Sequence, residues 1–251
     1  MVRPLYDMFN AVPRHYDLVN RIITWGLDKR WRRKAAENCF SSQPKKVLDL
    51  CCGTGDLAIH ISRVTKNDTE IIGLDYSRPM LDIANKKSRL LTKKPSFISG
   101  DAAALPFPDG YFDCVGISFA FRNLTYKNPL ALYHVSEVLR VLKPNGRFII
   151  IESSQPKVKV LRILFHLYLH WFVFKIGSLV SGNRRAYRYL AESAIRFYTP
   201  LEIKQMLITA GFSDVSFRPF LFGVVGMHIA TKWFYIFHIL PFLPCSLTPN
   251  L

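Results

Sequence analysis

Acidic residues are scarce in this chain. Asp and Glu number 18 against 34 Lys and Arg, so the formal net charge of the 251 residues is +16 at pH 7. A chain this basic favours anionic partners. Nucleic-acid-binding chains tend to be basic and polar, whereas here 49% of the residues are hydrophobic and 14% are aromatic. We therefore expect an acidic membrane surface, and no nucleic acid, as the anionic partner.

Cysteine is also scarce, and its spacing fits no metal site. The five cysteines are an odd number without a Cys-x-x-Cys pair, which predicts free thiols in a reducing compartment and no bound metal. Residues 1–13 lack the apolar core of a secretory signal peptide. No internal repeat or low-complexity tract is visible. We expect a cytoplasmic protein.

The most informative stretch is Val47–Asp56, which reads VLDLCCGTGD. An apolar run ends in a small loop, and a helical pattern begins directly after it. Gly53 and Gly55 allow a sharp turn and a close approach of a ligand to the backbone. The backbone N–H groups at the start of the helix face the same ligand. With Asp49 at the end of the strand and Thr54 in the loop, the stretch predicts a nucleotide-type binding site.

Apolar runs and amphipathic stretches alternate around this loop. Strands are predicted over 46–50, 70–75, 96–100, 111–118 and 147–152, and helices over 57–64, 79–91 and 128–141. The alternation predicts an α/β, Rossmann-like fold with a mainly parallel sheet and helices on both faces. Two further strands are predicted over 215–220 and 224–231. They form a C-terminal antiparallel hairpin and bring the predicted sheet to seven strands. Thr199–Glu202 predicts a capped helix start, and Lys87 is expected on a solvated helix face.

Acidic residues stand at the carboxyl ends of three successive predicted strands. They are Asp49, Asp75 and Asp101, and ligands of open α/β sheets bind at that edge. Asp75 lies about 20 residues after Gly55, the spacing at which a carboxylate accepts ribose hydroxyls. Asp101 can accept an adenine amino group beside the backbone of Ala102. An acid-lined site suits a sulfonium cofactor better than an anionic dinucleotide, which favours S-adenosylmethionine over NAD.

At this point the sequence resembles the ubiquinone/menaquinone biosynthesis C-methyltransferase family, from about Phe9 to Lys232. The motifs that carry the resemblance are His15–Asp17, Val47–Asp56, Ala104–Asp109 with Phe112–Asp113, Ser118–Asn123 and Arg188–Ser193. The resemblance implies a class I methyltransferase fold and S-adenosylmethionine as cofactor. The family's cofactor positions fall on Thr54, Asp75, Asp101, Ala102 and Ser118.

The resemblance also implies a reaction: methylation of a ring carbon on a lipophilic prenylated quinol. Cys51-Cys52 is more similar to the menaquinone-making members than to the ubiquinone-making ones, so demethylmenaquinol is the expected substrate. The alternative ring is 2-polyprenyl-6-methoxy-1,4-benzoquinol. Cys51 stands where methyltransferases in general have a glycine, and Asn145 replaces another glycine in a turn, where Asn is tolerated. An RNA or other small-molecule methyltransferase and a non-catalytic cofactor-binding protein are the rival interpretations.

Four residues are candidates for contact with the reacting ring. Arg122 and Asn123 follow the fourth strand, where Arg122 can stabilise a developing phenolate and Asn123 can orient a hydroxyl. The alternative for both is structural hydrogen bonding to a neighbouring loop. His15 and Tyr16 belong to a lid over the substrate or, alternatively, to a surface turn and a helix cap.

The chain divides into five predicted parts. They are a helical lid (1–45), the cofactor-binding core (46–152), an amphipathic helical insertion (153–200), a closing helix and hairpin (201–232) and an apolar tail (233–251). In the insertion, Lys159, Arg162, His166 and His170 are spaced to line one helix face. That stripe favours a helix lying at a membrane surface over one that spans it. A homo-oligomer is left open.

Overall fold

The computed structural model describes residues 13–65 and 68–233, with side chains from residue 16 onward. The strands are β1 (Lys46–Leu50), β2 (Glu70–Asp75), β3 (Ser96–Ser99), β4 (Phe112–Ser118), β5 (Leu142–Ser153), β6 (Phe212–Phe220) and β7 (Val225–Lys232). The helices are α1 (Pro13–Ile23), α2 (Leu27–Phe40), α3 (Asp56–Val64), α4 (Arg78–Ser88), α5 (Phe121–Thr125), α6 (Ala131–Val141), α7 (Lys159–Ser181), α8 (Arg184–Ile195) and α9 (Pro200–Thr209). The predicted tail lies outside the described residues except for Trp233.

The strands form one seven-stranded sheet in the order β3-β2-β1-β4-β5-β7-β6. The first five strands in that order pair in parallel, while β7 is antiparallel to both β5 and β6. The predicted fold, including the closing hairpin, is confirmed. The strand order reverses between β1 and β4, so the crevice at their carboxyl ends is where a ligand is expected.

Alternate residues of each central strand face opposite helical layers. Leu48 contributes to a core shared with α6 and α9, and its neighbour Val47 contributes to a core shared with α2 and α3. This is the two-residue period of a strand buried on both faces. Trp31 and Ala35 of α2 belong to the second core. Of the described residues of the predicted lid, α2 is a packed layer against the sheet, and α1 is bonded to the loop after β1 through Asp17. The lid itself stays a prediction.

Helix α7 is a continuous helix with a π-helical segment over Tyr168–Val173. By length and composition alone it could cross a bilayer. Phe165, Leu169 and Val173 point inward and pack against α8. The outward face is mostly apolar and carries Val160, Ile163, Leu164, Leu167 and Trp171.

The predicted basic stripe of α7 is only partly on the surface. Lys159 and His170 are exposed, whereas Arg162 and His166 are half-buried. The His166 ring nitrogen Nε2 lies 2.9 Å from Oε1 of Gln155 and hydrogen-bonds to it. The exposed surface of this helix is therefore apolar with cations at its margins.

Candidate active site

The loop between β1 and α3 makes a tight left-handed turn. Cys51, Gly53 and Gly55 have φ angles of 53°, 53° and 78°, a region that residues with a side chain seldom adopt. A Cβ on Gly55 would stand 2.8 Å from a carbon of the Phe97 ring, whereas one on Gly53 would meet nothing within 4 Å. Gly55 thus permits close packing beneath the loop, and Gly53 leaves the space above it open. Cys51 adopts the conformation that a glycine would take without strain.

Asp49 is buried at the end of β1 and anchors α3. Its Oδ2 accepts a hydrogen bond from the backbone N–H of Ala58 at 2.8 Å. Burial raises the pKa of this carboxyl to about 8, against the opposing effects of that N–H and of Arg32. A cation placed beside Asp49 would lower this pKa again, because it favours the charged form.

Asp75 is held at the end of β2 by the backbone N–H groups of Gly53, Tyr76 and Ser77. Its Oδ2 accepts from the N–H of Gly53 and its Oδ1 from the N–H of Ser77, each at 2.8 Å. Burial raises the pKa of Asp75, and these N–H groups oppose the rise. A carboxylate has about four acceptor sites, so the group can still accept from a ligand hydroxyl. The hydrogen bond from Gly53 fixes the carboxylate relative to the loop.

The third acid and a neighbouring hydroxyl complete this edge of the sheet. Asp101 Oδ1 accepts from the N–H of Ala103 at 2.9 Å, and Ala102 beside it is buried. Ser118, at the end of β4, has a buried Oγ without a hydrogen-bond partner among the described residues. Buried hydroxyls are almost always paired, so this one indicates a missing polar ligand. Carboxylates and an orphaned hydroxyl fit a cationic adenosyl cofactor such as S-adenosylmethionine.

An ion network fastens α1 to the loop. Thr54 Oγ1 donates to Asp17 Oδ1 at 2.7 Å. Lys87 Nζ donates to Asp17 Oδ2 at 2.9 Å, to Thr54 Oγ1 at 3.1 Å and to a carboxylate oxygen of Asp56. The expectation that Lys87 lies on a solvated face is wrong, because its amine is drawn to the acids of the loop. The Thr54 hydroxyl is likewise occupied in protein contacts.

These elements surround a cavity of about 950 Å³. Of the site residues predicted from sequence, the cavity is lined by Tyr16, Asp49, Gly53, Thr54, Asp75, Asp101, Ala102, Ser118 and Asn123. Gly55 and Arg122 do not line the cavity, and the side chain of His15 is outside the described residues. The volume is at the upper end for small-molecule sites, so it accommodates a cofactor and part of a second reactant.

Arg122 is buried in an ion pair that the sequence pattern did not reveal. Its Nη1 donates to Glu152 Oε1 at 3.0 Å and to Ser153 Oγ at 2.8 Å, and its backbone N–H donates to Glu152 Oε2 at 3.1 Å. Its Nε is buried without a partner among the described residues. Arg122 therefore makes structural hydrogen bonds, which was the alternative to contact with the reacting ring. Asn123, one residue on, lines the cavity instead.

Tyr16 is the residue of α1 that reaches the cavity. Burial raises the pKa of its phenol, and Arg32 opposes the rise. The phenol therefore stays protonated at neutral pH and can donate a hydrogen bond rather than act as a base. Tyr16 lines the cavity and Asp17 binds the loop, so a lid over the substrate stays a prediction for this segment.

Comparison with known proteins identifies the family of the chain. The chain is 39% identical to a demethylmenaquinone methyltransferase of Thermus thermophilus, over 90% of this chain and 100% of that protein. It is 36% identical to a ubiquinone/menaquinone biosynthesis C-methyltransferase UbiE of Yersinia enterocolitica, over 90% of each chain. A SAM-dependent methyltransferase structure from Aquifex aeolicus has the same fold, with a TM-score of 0.53 at 19% identity over 74% of this chain and 81% of that one. The model of the ubiE/COQ5 methyltransferase family matches residues 3–232, and the chain belongs to that family.

Proposed function

We propose that this protein methylates a ring carbon of a prenylated quinol, with demethylmenaquinol as the substrate and S-adenosylmethionine as the methyl donor. The observation that carries the proposal is the match over nearly the whole chain to relatives named for quinone methylation. The Cys51-Cys52 pair favours the naphthoquinol ring over the benzoquinol ring of the ubiquinone route.

The cofactor would lie across the carboxyl edge of β1, β2 and β4. In this position S-adenosylmethionine supplies an electrophilic methyl group. Asp75 would hold the ribose hydroxyls, and Asp101 with the backbone of Ala102 would bind the adenine. The Ser118 hydroxyl would gain the partner that it lacks, and Asp49 would offset the positive charge of the donor. None of these groups has to move far, since the hydrogen bonds of each acid to the backbone already fix it.

The remaining residues act on the quinol. A quinol hydroxyl must lose its proton to water as the ring carbon attacks, and the methylated carbon must then lose its own proton to water to restore the aromatic ring. Asn123 would orient the hydroxyl, and Tyr16 would donate to the developing oxyanion. Arg122 acts as a positioning residue, because its guanidinium is engaged by Glu152. The main contribution is to hold two reactants aligned and shielded from water, an arrangement worth several orders of magnitude in rate.

The same proposal includes peripheral contact with an anionic membrane on the cytoplasmic side. A polyprenyl tail partitions into lipid, so the enzyme must meet its substrate at the bilayer surface. The apolar outward face of α7 and its marginal cations, such as Lys159 and Lys175, suit such a contact. Lys175 also lies 4.4 Å from the ring centroid of Trp171, an aromatic–cation pair of the kind placed at membrane interfaces.

The test is turnover of the purified protein with S-adenosylmethionine and each reduced quinone. We expect gain of one methyl group on demethylmenaquinol, detected by mass spectrometry, and slower turnover of the methoxybenzoquinol. Asp75→Asn should weaken cofactor binding, measured by calorimetry, whereas Leu90→Trp on a fully exposed loop is a control that leaves it unchanged. Tight cofactor binding with no methylation of either quinol would refute the proposal.

A further inference from the structure

A second cavity, of about 400 Å³, lies beside the cofactor site. It is enclosed by α1, α2, α7, α8 and the turn Leu221–Gly223. Its walls are apolar along most of their length and include Ile23, Leu161, Phe165, Leu169 and Ala194. A cavity with such walls offers little to a polar ligand and much to a hydrocarbon chain.

The inner end of this cavity meets the cofactor site. Tyr16, Arg32 and Phe119 line both cavities. Phe119 directly follows β4 with a φ of 57°, a strained conformation for an aromatic residue. Its ring lies against Arg32, whose guanidinium carbon is 5.1 Å from the ring centroid. Arg122 also lines the second cavity.

The outer end of the cavity opens among exposed apolar side chains. Trp25 is 76% exposed, Phe222 79% and Leu164 56%, and all three line the cavity. Leu164 belongs to the outward apolar face of α7, so the opening is continuous with that face. A chain leaving the cavity would pass onto an apolar surface and not into bulk water.

We propose that the second cavity binds the ring-proximal part of the prenyl tail, with the quinol head at the junction by Tyr16 and Phe119. This assignment rests on the proposed function and extends it. Three observations choose the occupant: Tyr16 and Arg32 stand where the two cavities meet, most of the other lining residues are apolar, and the opening lies beside an exposed apolar face. A prenylated quinol likewise has a polar head and a long apolar tail. Any tail beyond the opening would remain in lipid while the head reaches the methyl donor.

Matched tryptophan substitutions test the assignment. Leu161→Trp narrows the cavity from a half-buried position on α7, and Leu90→Trp adds the same side chain on a remote, 98% exposed site. Two substrates are compared, demethylmenaquinol and the same naphthoquinol without a tail. We expect Leu161→Trp to lower kcat/KM for the tailed substrate at least tenfold more than for the tail-less one. Leu90→Trp should leave both values at those of the unchanged protein.

A binding measurement separates this assignment from the proposed reaction. Farnesol, a prenyl chain without a quinone ring, should bind the unchanged protein by calorimetry and bind Leu161→Trp at least tenfold more weakly. Circular dichroism checks that the variant is folded. Equal losses for both substrates, or unaltered farnesol binding, would overturn the tail assignment. Farnesol binding without methylation of any quinol would instead overturn the reaction and leave the cavity as a prenyl site.

Discussion

The raised pKa of Asp49 predicts that cofactor binding releases a proton. With a pKa of about 8, only about one molecule in ten carries the ionised carboxylate at pH 7. A sulfonium donor beside it favours the ionised form, so binding draws the pKa down and expels the proton. If only the ionised form binds well, the affinity at pH 7 is about tenfold, or about 1.4 kcal/mol, below its value well above pH 8.

The sign of the effect is fixed by the same reasoning. Below the pKa, each unit of pH upward should strengthen binding by up to about tenfold, and the dependence should flatten above pH 8. Titration calorimetry at pH 6, 7 and 8 in two buffers of different ionisation enthalpy gives both the dissociation constant and the protons released. We expect release to approach one proton at pH 7.

The control is Asp49→Asn, which can still accept from the N–H of Ala58 but cannot ionise. It should bind the donor with little pH dependence and should release correspondingly few protons at pH 7. Unchanged proton release in Asp49→Asn, or a dissociation constant that is flat from pH 6 to 8 in the unchanged protein, would refute the reasoning.

Four further substitutions probe the fold around the site. Glu152→Gln leaves the buried Arg122 guanidinium uncompensated and should cost about 3–5 kcal/mol in urea unfolding; a loss below 1 kcal/mol would contradict a buried ion pair. Asp17→Ala removes the hydrogen bonds that fasten α1 to the loop after β1, so it should speed hydrogen exchange in α1 and weaken donor binding severalfold. Unaltered exchange would show that these bonds do not hold α1 in place. Gly55→Ala should destabilise the protein by about 2–4 kcal/mol through strain and overlap, measured by thermal unfolding. His228 is buried with its pKa lowered to about 4, so its contribution, present above pH 6.5, should be lost as the pH falls from 6.5 to 4, by up to about 3 kcal/mol; His228→Gln should flatten that part of the unfolding profile.

Short-range patterns predicted the central fold well. The predicted bounds of β2 coincide with Glu70–Asp75, because an apolar run between turn residues defines a buried strand. The helix start at Thr199 is confirmed as a capping box with Glu202, since the donor and acceptor are three residues apart in the sequence. Asn145 has a φ of 62°, which fits its place in a turn where the family resemblance implies glycine. In each case the interacting groups are near neighbours in the chain.

Long-range contacts account for what the sequence did not reveal. Lys87 resembles the lysine and arginine beside it, and only the folded chain brings it to Asp17, 70 residues away. The pairing of Arg122 with Glu152 joins α5 to the end of β5, across 30 residues of sequence. The apolar outward face of α7 was missed because periodicity separates two faces of a helix without saying which one is covered. The two cavities could not be predicted from the sequence either, because their walls combine residues from five or more elements.

The distribution of charge links both cavities to the proposed reaction. The chain has only 18 acidic residues, yet Asp49, Asp56, Asp75 and Asp101 all line the cofactor cavity. These acids stand close to where a cationic donor would bind, and Arg32, Lys127 and Arg185 line the same cavity. An anionic bilayer would be attracted to the cations at the margins of α7, which also carries the opening of the second cavity. The acids therefore suit the donor at the strand ends and the cations suit the lipid beside α7, so that the two reactants would meet at the junction between the cavities.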